Sequence, residues 1–212
     1  MNRYGHEEHL DVVPNSRASM LRRLRFATSN AGKLAEAQDI LLSAGVTVEG
    51  VPNDIIQQIV EPQSPSLKMI SSSKLEQVLS LFDDDGVPTF VEDAGLFIEA
   101  WAGFPGPFSS FVHSTLGCSG VISLMRGLSD RRAHFKAMIA MHIDEKTHLF
   151  EGRIDGSIAH SIDGDKGFGF DPIFIPEGET STFARLGDSY KRDHSHRAGA
   201  LENLLHLLLQ KD

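Results

Sequence analysis

An alternating pattern in the second half of the chain restricts the fold more than any other feature. Between 134 and 143 every second residue is apolar, namely Phe135, Ala137, Ile139, Met141 and Ile143. This period of two is typical of a β-strand. Asp144–Lys146 then turns and 147–156 returns, so the sequence predicts a long hairpin. Gly152 and Gly156 on the return strand indicate a bulge or a close approach by another backbone segment.

Other segments show helical or strand patterns, which place further elements beside the hairpin. The first helix has apolar residues at steps of three and four, namely Leu34, Ala37, Leu41 and Ala44. Gly45 follows where a helix commonly ends. The remaining predicted elements are strands over 24–28, 46–51, 90–93 and 167–175, and helices over 67–82 and 196–209, the last capped by Ser195. We expect the third strand to break at Ala94–Gly95 and 103–107 to be a rigid loop. Helices between strands, followed by a hairpin, predict an α/β fold with a mixed sheet.

Length, charge and cysteine content exclude several classes of protein. The chain has 212 residues, a formal net charge of −9 and one cysteine, Cys118. We expect one domain over 23–212, preceded by a variable or disordered extension over 1–22 that has no apolar period. A single cysteine excludes an intrachain disulfide and agrees with a reducing cytoplasm. No apolar run approaches the ~18 residues of a membrane span, and the acidic balance argues against nonspecific nucleic-acid binding.

A polar turn between the first strand and the first helix is a candidate anion site. Its residues are Thr28, Ser29, Asn30, Ala31, Gly32 and Lys33. A helix N-terminus offers free backbone N–H groups to a phosphate, and Lys33 adds a full charge. The pattern is not a Walker A loop. Plain capping of the helix by Ser29 or Asn30 is the alternative interpretation.

Two adjacent acids, Glu92 and Asp93, end a short apolar strand. Neighbouring strand residues face opposite sides, so we expect one carboxylate to point into a cleft and the other to make a structural bond. A carboxylate in a cleft would hold Mg²⁺ or activate a water molecule. The alternative is a turn-forming acid before Ala94–Gly95. Taken alone, Glu61 is interpreted as a solvated charge in a loop.

Two further segments combine features of a ligand site. The stretch Gly167–Pro172 contains two aromatic residues beside two glycines, which fits stacking on a base or, alternatively, a glycine-rich strand with core phenylalanines. The stretch Lys191–Arg197 places several potential cations at the predicted start of the last helix, where they would oppose the helix dipole. A ligand would explain that placement, and an exposed basic patch is the alternative.

Together these segments resemble the inosine/xanthosine triphosphate pyrophosphatase family. The motifs that carry the resemblance, in order, are TSNAGK at 28–33, EPQ at 61–63, VEDAGLFIEA at 91–100, GFPGPFSSFV at 103–112, GFGFDPIF at 167–174 and SHRAGAL at 195–201. Each motif is weak alone, but the ordered set spans about residues 24–205. The resemblance therefore predicts one domain of this family.

The resemblance implies an elongated mixed β-sheet flanked by helices, with two lobes and a nucleotide-binding cleft between them. It implies Mg²⁺-dependent hydrolysis of non-standard purine nucleoside triphosphates (ITP, dITP, XTP) to the monophosphate and pyrophosphate. A homodimer in the cytoplasm, with neither nucleic acid nor membrane as a partner, is expected.

The resemblance also implies roles for individual residues. Asp93 would activate water and bind Mg²⁺ together with Glu61. The expected substrate-binding residues are Thr28, Ser29, Asn30, Ala31, Gly32 and Lys33 for the triphosphate, Ala94 against the substrate, Phe168, Gly169, Phe170 and Asp171 as a wall for the base and sugar, Lys191 for phosphate, and His196 and Arg197 for the base.

The chain departs from the family pattern in five places, of which four are substitutions and the fifth is the N-terminal extension. Ala94 replaces a usual Ser, Phe170 a usual Tyr, Arg185 a common Glu and Arg192 a common Asn. These departures bear on substrate preference, whereas Lys33, Asp93 and Arg197 are retained. A pyrophosphatase for pyrimidine or modified nucleotides, or a nucleotide-binding sensor with weakened catalysis, are the alternative functions.

Overall fold

Three long antiparallel strands form the central part of the molecule in a computed structural model that describes residues 22–81 and 85–210. The order in the seven-stranded sheet is β2-β1-β3-β5-β6-β7, and β4 pairs with the lower end of β3. The strands are β1 (Arg23–Phe26), β2 (Thr47–Gly50), β3 (Thr89–Ile98), β4 (Pro105–Gly106), β5 (Arg132–Ile143), β6 (Lys146–Ile158) and β7 (Phe174–Pro176). β1 runs parallel to β2 and β3, while the other pairs are antiparallel, which confirms the mixed sheet.

Helices cover both faces of this sheet. Within the described ranges they are α1 (Ala31–Leu42), α2 (Asn53–Ile56), α3 (Leu67–Leu81), α4 (Ser109–Leu124), α5 (Phe183–Leu186), α6 (Asp188–His194) and α7 (His196–Leu209). α1 and α7 pack on the upper half of the sheet, around Phe90 and Ile139, and α3 packs on the opposite face. α4 packs on a separate lower cluster that includes Leu96 and Phe174. The expected two lobes are therefore present, and β3, β5 and β6 continue through both.

The hairpin prediction is confirmed. β5 and β6 pair without interruption from Arg132–Ser157 to Ile143–Lys146. The register has no bulge, so the glycines of β6 serve close approach instead. A side chain at Gly152 would overlap the backbone of α7 at His196, and one at Gly156 would overlap the backbone of β7.

Two predicted boundaries are wrong. The strand expected over 90–93 continues through Ala94–Gly95 to Ile98, because both residues pair with β5 and a side chain at Gly95 would overlap the carbonyl of Gly106. The segment expected as a strand over 167–175 is strand only from Phe174, because Gly167 and Gly169 adopt positive φ and a 3-10 turn follows. The 103–107 loop contains the two-residue strand β4.

Several predicted elements match the structure closely. α7 covers the predicted 196–209, with the Ser195 side chain accepting from the Ala198 amide at 3.1 Å. α3 follows the predicted helix to Leu81, and residue 82 lies outside the described ranges. The predicted extension over 1–22 also lies outside them, except for Arg22. No helix in the described part of the chain is long and apolar enough to cross a bilayer.

Candidate active site

A cavity of about 600 Å³ lies between the upper and lower lobes. It is lined by the β1–α1 turn, the middle of β3, the first turns of α4, the loop before β7 and the adjoining ends of α6 and α7. The cavity brings together residues that are distant in sequence. The predicted site residues that line it are Thr28, Ser29, Asn30, Lys33, Glu61, Asp93, Ala94, Phe168, Gly169, Phe170, Asp171, Lys191, His196 and Arg197.

The β1–α1 turn forms one wall, and both interpretations of its sequence have support. Asn30 caps α1, because its side chain accepts from the Lys33 amide at 3.0 Å, and Thr28 accepts from the Asn30 amide at 3.1 Å. The first backbone N–H groups of α1 have no partner within the helix, so an anion at its N-terminus can accept hydrogen bonds from them. Ala31 and Gly32, which were also expected to bind the triphosphate, are not among the residues that line the cavity. A side chain at Gly32 would lie 2.8 Å from the Phe168 ring, so glycine permits the two walls to approach.

Glu92 is the structural member of the acidic pair. Its oxygens accept from the Arg197 guanidinium at 2.7 and 2.9 Å, and the Lys33 ammonium lies 3.6 Å away. Burial alone would raise the pKa of Glu92, but Arg197 and Lys33 outweigh burial and hold that pKa below its usual value. Glu92 therefore remains ionised and joins β3 to α7.

Asp93 points into the cavity and has a different environment. It is 9% exposed, and its Oδ2 atom has no hydrogen-bond partner in the described part of the chain. Burial raises the pKa of Asp93 to about 6, although Lys33 and Lys74 act in the opposite direction. The expectation that one acid faces a cleft while the other makes a structural bond is confirmed.

A second ion-paired group lies at the junction of α1, α6 and α7. The Lys191 ammonium lies 2.6 Å from carboxylate oxygens of both Asp171 and Glu36. Arg197 also pairs with Glu36 through its Nη1 atom. Arg197 is 1% exposed and Lys191 is 4% exposed, so both cations are buried, as is Asp171, whereas Glu36 is partly exposed.

The predicted opposition between the basic segment and a helix dipole is wrong for three of its five potential cations. Lys191, Arg192 and His194 occupy the last turn of α6, where positive charge is favourable. Only His196 and Arg197 lie at the start of α7. Burial, reinforced by Arg197, lowers the pKa of His196 well below its usual value.

The two aromatic residues of the 167–172 segment have different surroundings. The Phe168 ring faces cations, with the Lys191 ammonium 4.1 Å from its centroid and the Arg197 guanidinium 5.7 Å away. Phe170 is 3% exposed and packs in the lower core, with the His113 ring edge-on at 5.1 Å. The core interpretation thus holds for Phe170, while Phe168 is the half-buried aromatic wall.

Comparison with known proteins identifies the family. A family model described as the Ham1 family matches residues 24–207. The chain belongs to the Ham1 family. A protein of Pyrobaculum aerophilum named dITP/XTP pyrophosphatase is 43% identical over 86% of this chain and 94% of its own length. One of the same name from Methanopyrus kandleri is 44% identical over 85% and 93%. The Ham1 protein of Staphylococcus aureus has a similar structure, with a TM-score of 0.76, 26% identity and coverage of 90% and 100%.

Two residues of this Ham1-family site were not predicted from sequence. Lys74 lines the cavity, lies 2.6 Å from Glu61 and donates to the Glu92 backbone carbonyl at 3.4 Å. A lysine on the apolar stripe of a predicted helix is the signal that would have identified it. Glu36 joins Lys191 to Arg197 and carries no comparable signal, because both partners are more than 150 residues away.

The acids of this Ham1-family cavity fit a magnesium ion. Among residues 22–81 and 85–210 no group of three or more metal-binding side chains is present. Mg²⁺ usually takes only one or two protein carboxylates, with water and substrate phosphates as its other ligands. The unpaired oxygen of Asp93 and the half-exposed carboxylate of Glu61 supply that number.

Proposed function

We propose that this Ham1-family protein hydrolyses non-standard purine nucleoside triphosphates, such as dITP, XTP and ITP, to the monophosphate and pyrophosphate. The observation that carries the proposal is Asp93, a buried carboxylate with an unpaired oxygen beside a cationic helix N-terminus. A strongly perturbed acid in a cleft is a feature of catalytic sites. The two similar proteins named dITP/XTP pyrophosphatase support the same substrate class.

In this proposal the triphosphate lies along the N-terminus of α1, where Lys33 and Lys74 neutralise part of its charge. Asp93 accepts the proton of a water molecule that attacks the α-phosphorus. The bond to the bridging oxygen breaks, and pyrophosphate leaves. Asp93 and Glu61 would hold Mg²⁺, which supplies charge neutralisation when bound.

Base selection is assigned to the start of α7. Glu92 and Glu36 already occupy three of the five N–H donors of Arg197. This fixes the guanidinium plane and leaves two donors for a ligand. The 6-keto oxygen of hypoxanthine or xanthine accepts such a donor, whereas the amino group of adenine does not. An unpaired buried donor costs ~1–3 kcal/mol, which gives about tenfold to hundredfold selection.

The proposal also includes a homodimer located in the cytoplasm. The single cysteine agrees with a reducing compartment. Light scattering on the full chain tests the subunit number, since a monomeric mass would contradict the dimer.

Product analysis tests the proposed reaction. Purified protein is incubated with ITP, dITP, XTP, GTP, ATP and dTTP, in Mg²⁺ and in EDTA. We expect Mg²⁺-dependent release of pyrophosphate from ITP, dITP and XTP at a much higher rate than from ATP, detected as phosphate only after inorganic pyrophosphatase is added. Direct release of orthophosphate would overturn the reaction type, and equal rates on ATP would overturn the base selection.

A further inference from the structure

One polar wall of the cavity has no role in the proposed reaction. Two residues of α4, Ser110 and His113, line the cavity and are exposed. They are three positions apart on a helix, so they lie on the same face. Neither side chain forms a hydrogen bond within the described residues, and the ring contact of His113 is with Phe170.

The fold places this wall next to the catalytic acid. Ser109, the first residue of α4, accepts from the Leu96 amide and donates to the Gly106 carbonyl, both at 2.7 Å. The first turn of α4 is therefore fixed against β3 beside Gly95. Gly95 lies two positions from Asp93, hence on the same face of the strand.

The covalent structure of a nucleotide determines which part of the substrate lies beside Ser110 and His113. The sugar is bonded directly to the α-phosphate, which is attacked beside Asp93 in the proposed function. The sugar must therefore lie next to Asp93, which shares its face of β3 with Gly95 at the first turn of α4. That position is the part of the cavity that α4 borders.

The other lining residues offer little to a sugar hydroxyl. Asp171, which the resemblance places in the wall for the base and sugar, already accepts from the Phe168 amide at 2.8 Å and from the Lys191 ammonium at 2.6 Å. The other lining residues without a role in binding phosphate, metal or base are Ala27, Ile56, Ile59, Ala94, Gly95, Pro107, Ser109, Ser110, His113, Phe135 and Phe170. Most are apolar, and the Ser109 hydroxyl is already used in both directions. Ser110 and His113 are the polar side chains left over.

We propose that His113, assisted by Ser110, binds the sugar hydroxyls of the substrate. The assignment rests on the proposed function and adds a substrate contact to it. The imidazole lines the cavity and meets the Phe170 ring in a T-shaped contact. A hydroxyl both donates and accepts, so either imidazole tautomer can bind it.

The test compares three substrates that differ only in the sugar: ITP, dITP and 2′,3′-dideoxy-ITP. The variants are His113→Phe, which keeps the ring contact, and His113→Gln, which keeps a donor and an acceptor. His206→Phe is the matched control, because His206 is exposed on α7 and does not line the cavity. Unchanged melting temperatures establish that each variant folds.

For His113→Phe we expect KM for ITP to rise about three- to tenfold, as for one lost hydrogen bond, with kcat within about twofold. KM for the dideoxy substrate should stay at the wild-type value, and His113→Gln should recover part of the ITP affinity. An equal rise for all three substrates, or none, would overturn the sugar assignment. A wild-type protein that releases no pyrophosphate from ITP would instead overturn the proposed function itself.

Discussion

Two neighbouring acids on opposite faces of β3 have opposite electrostatic surroundings. On the face covered by α1 and α7, Glu92 is ion-paired with Arg197 and Lys33. On the opposite face, Asp93 lines the cavity and keeps an unpaired oxygen and a pKa of about 6. Both side chains are buried, so burial alone does not separate them. The presence or absence of a fixed counter-charge does.

This difference separates stability from function. Burying a carboxylate is costly unless it is paired, and Glu92 meets that condition within the protein. Asp93 does not, so the folded chain bears a cost there that a bound ligand or metal would relieve. An acid that destabilises its own fold is a marker of a functional site.

The largest expected effect is on turnover. Asp93→Asn removes the proton acceptor while keeping the shape of the side chain, and a general base contributes about 10²–10⁴ in rate. We therefore expect kcat for dITP to fall about a thousandfold, with nucleotide binding retained, measured by pyrophosphate release and equilibrium dialysis. The control Asp130→Asn alters a partly exposed acid outside the cavity and should keep wild-type kcat. Full activity in Asp93→Asn would remove that residue from the mechanism.

On the opposite face of β3, substitution of Glu92 should lower the stability of the fold. Glu92→Gln leaves Arg197 and Lys33 without their shared carboxylate, and breaking a buried pair costs about 3–5 kcal/mol. We expect a loss of that size in the urea unfolding free energy. Glu49→Gln is the matched control, because Glu49 pairs with Arg23 and Arg25 at the surface, where such pairs contribute less than about 1 kcal/mol. Equal losses in the two variants would contradict the distinction.

The sequence predicts the elements that depend on local patterns. The hairpin of β5 and β6 follows from strict alternation, and α7 from its period and the Ser195 cap. α4 was not predicted, because its sequence is rich in Ser and Gly and is kinked at Gly117, where φ is 63°. The break expected at Ala94–Gly95 fails because glycine there serves a tertiary contact with Gly106 rather than a turn.

The residues of the site also divide into those that a local pattern predicts and those that tertiary packing alone brings together. Alternation correctly assigned Glu92 and Asp93 to different surroundings, because that property is local to the strand. The choice of Asp93 over Glu92 came from the resemblance, and the partners of Glu92 come from segments far away in sequence. Glu36 illustrates the limit, since its role exists only after α1, α6 and α7 have packed together.

Asp93→Asn should also stabilise the metal-free protein, and only at neutral and alkaline pH. The folded-state pKa of about 6 lies above the ordinary value of 3.8, so the native state binds more protons between these values and loses stability as pH rises through them. The amide escapes that loss. In EDTA we expect a gain of about 2–3 kcal/mol at pH 8 and none at pH 3, from urea unfolding. A gain that is independent of pH would contradict this origin.

The smallest expected effect is the free energy by which Lys74 stabilises the charged form of Asp93. Lys74 is one of two cations that oppose the raised pKa of Asp93, and it is shared with Glu61. At an effective dielectric constant near that of a protein surface, one such charge is expected to contribute about 0.5–1 kcal/mol. A double-mutant cycle between Lys74→Met and Asp93→Asn, in EDTA at pH 8, isolates that interaction. The gain from Asp93→Asn should be larger by this amount in the Lys74→Met background. A coupling energy of zero would mean that Lys33 alone opposes the rise in the Asp93 pKa that burial causes. Lys74 would then do nothing to reduce the cost of the charged Asp93 carboxylate.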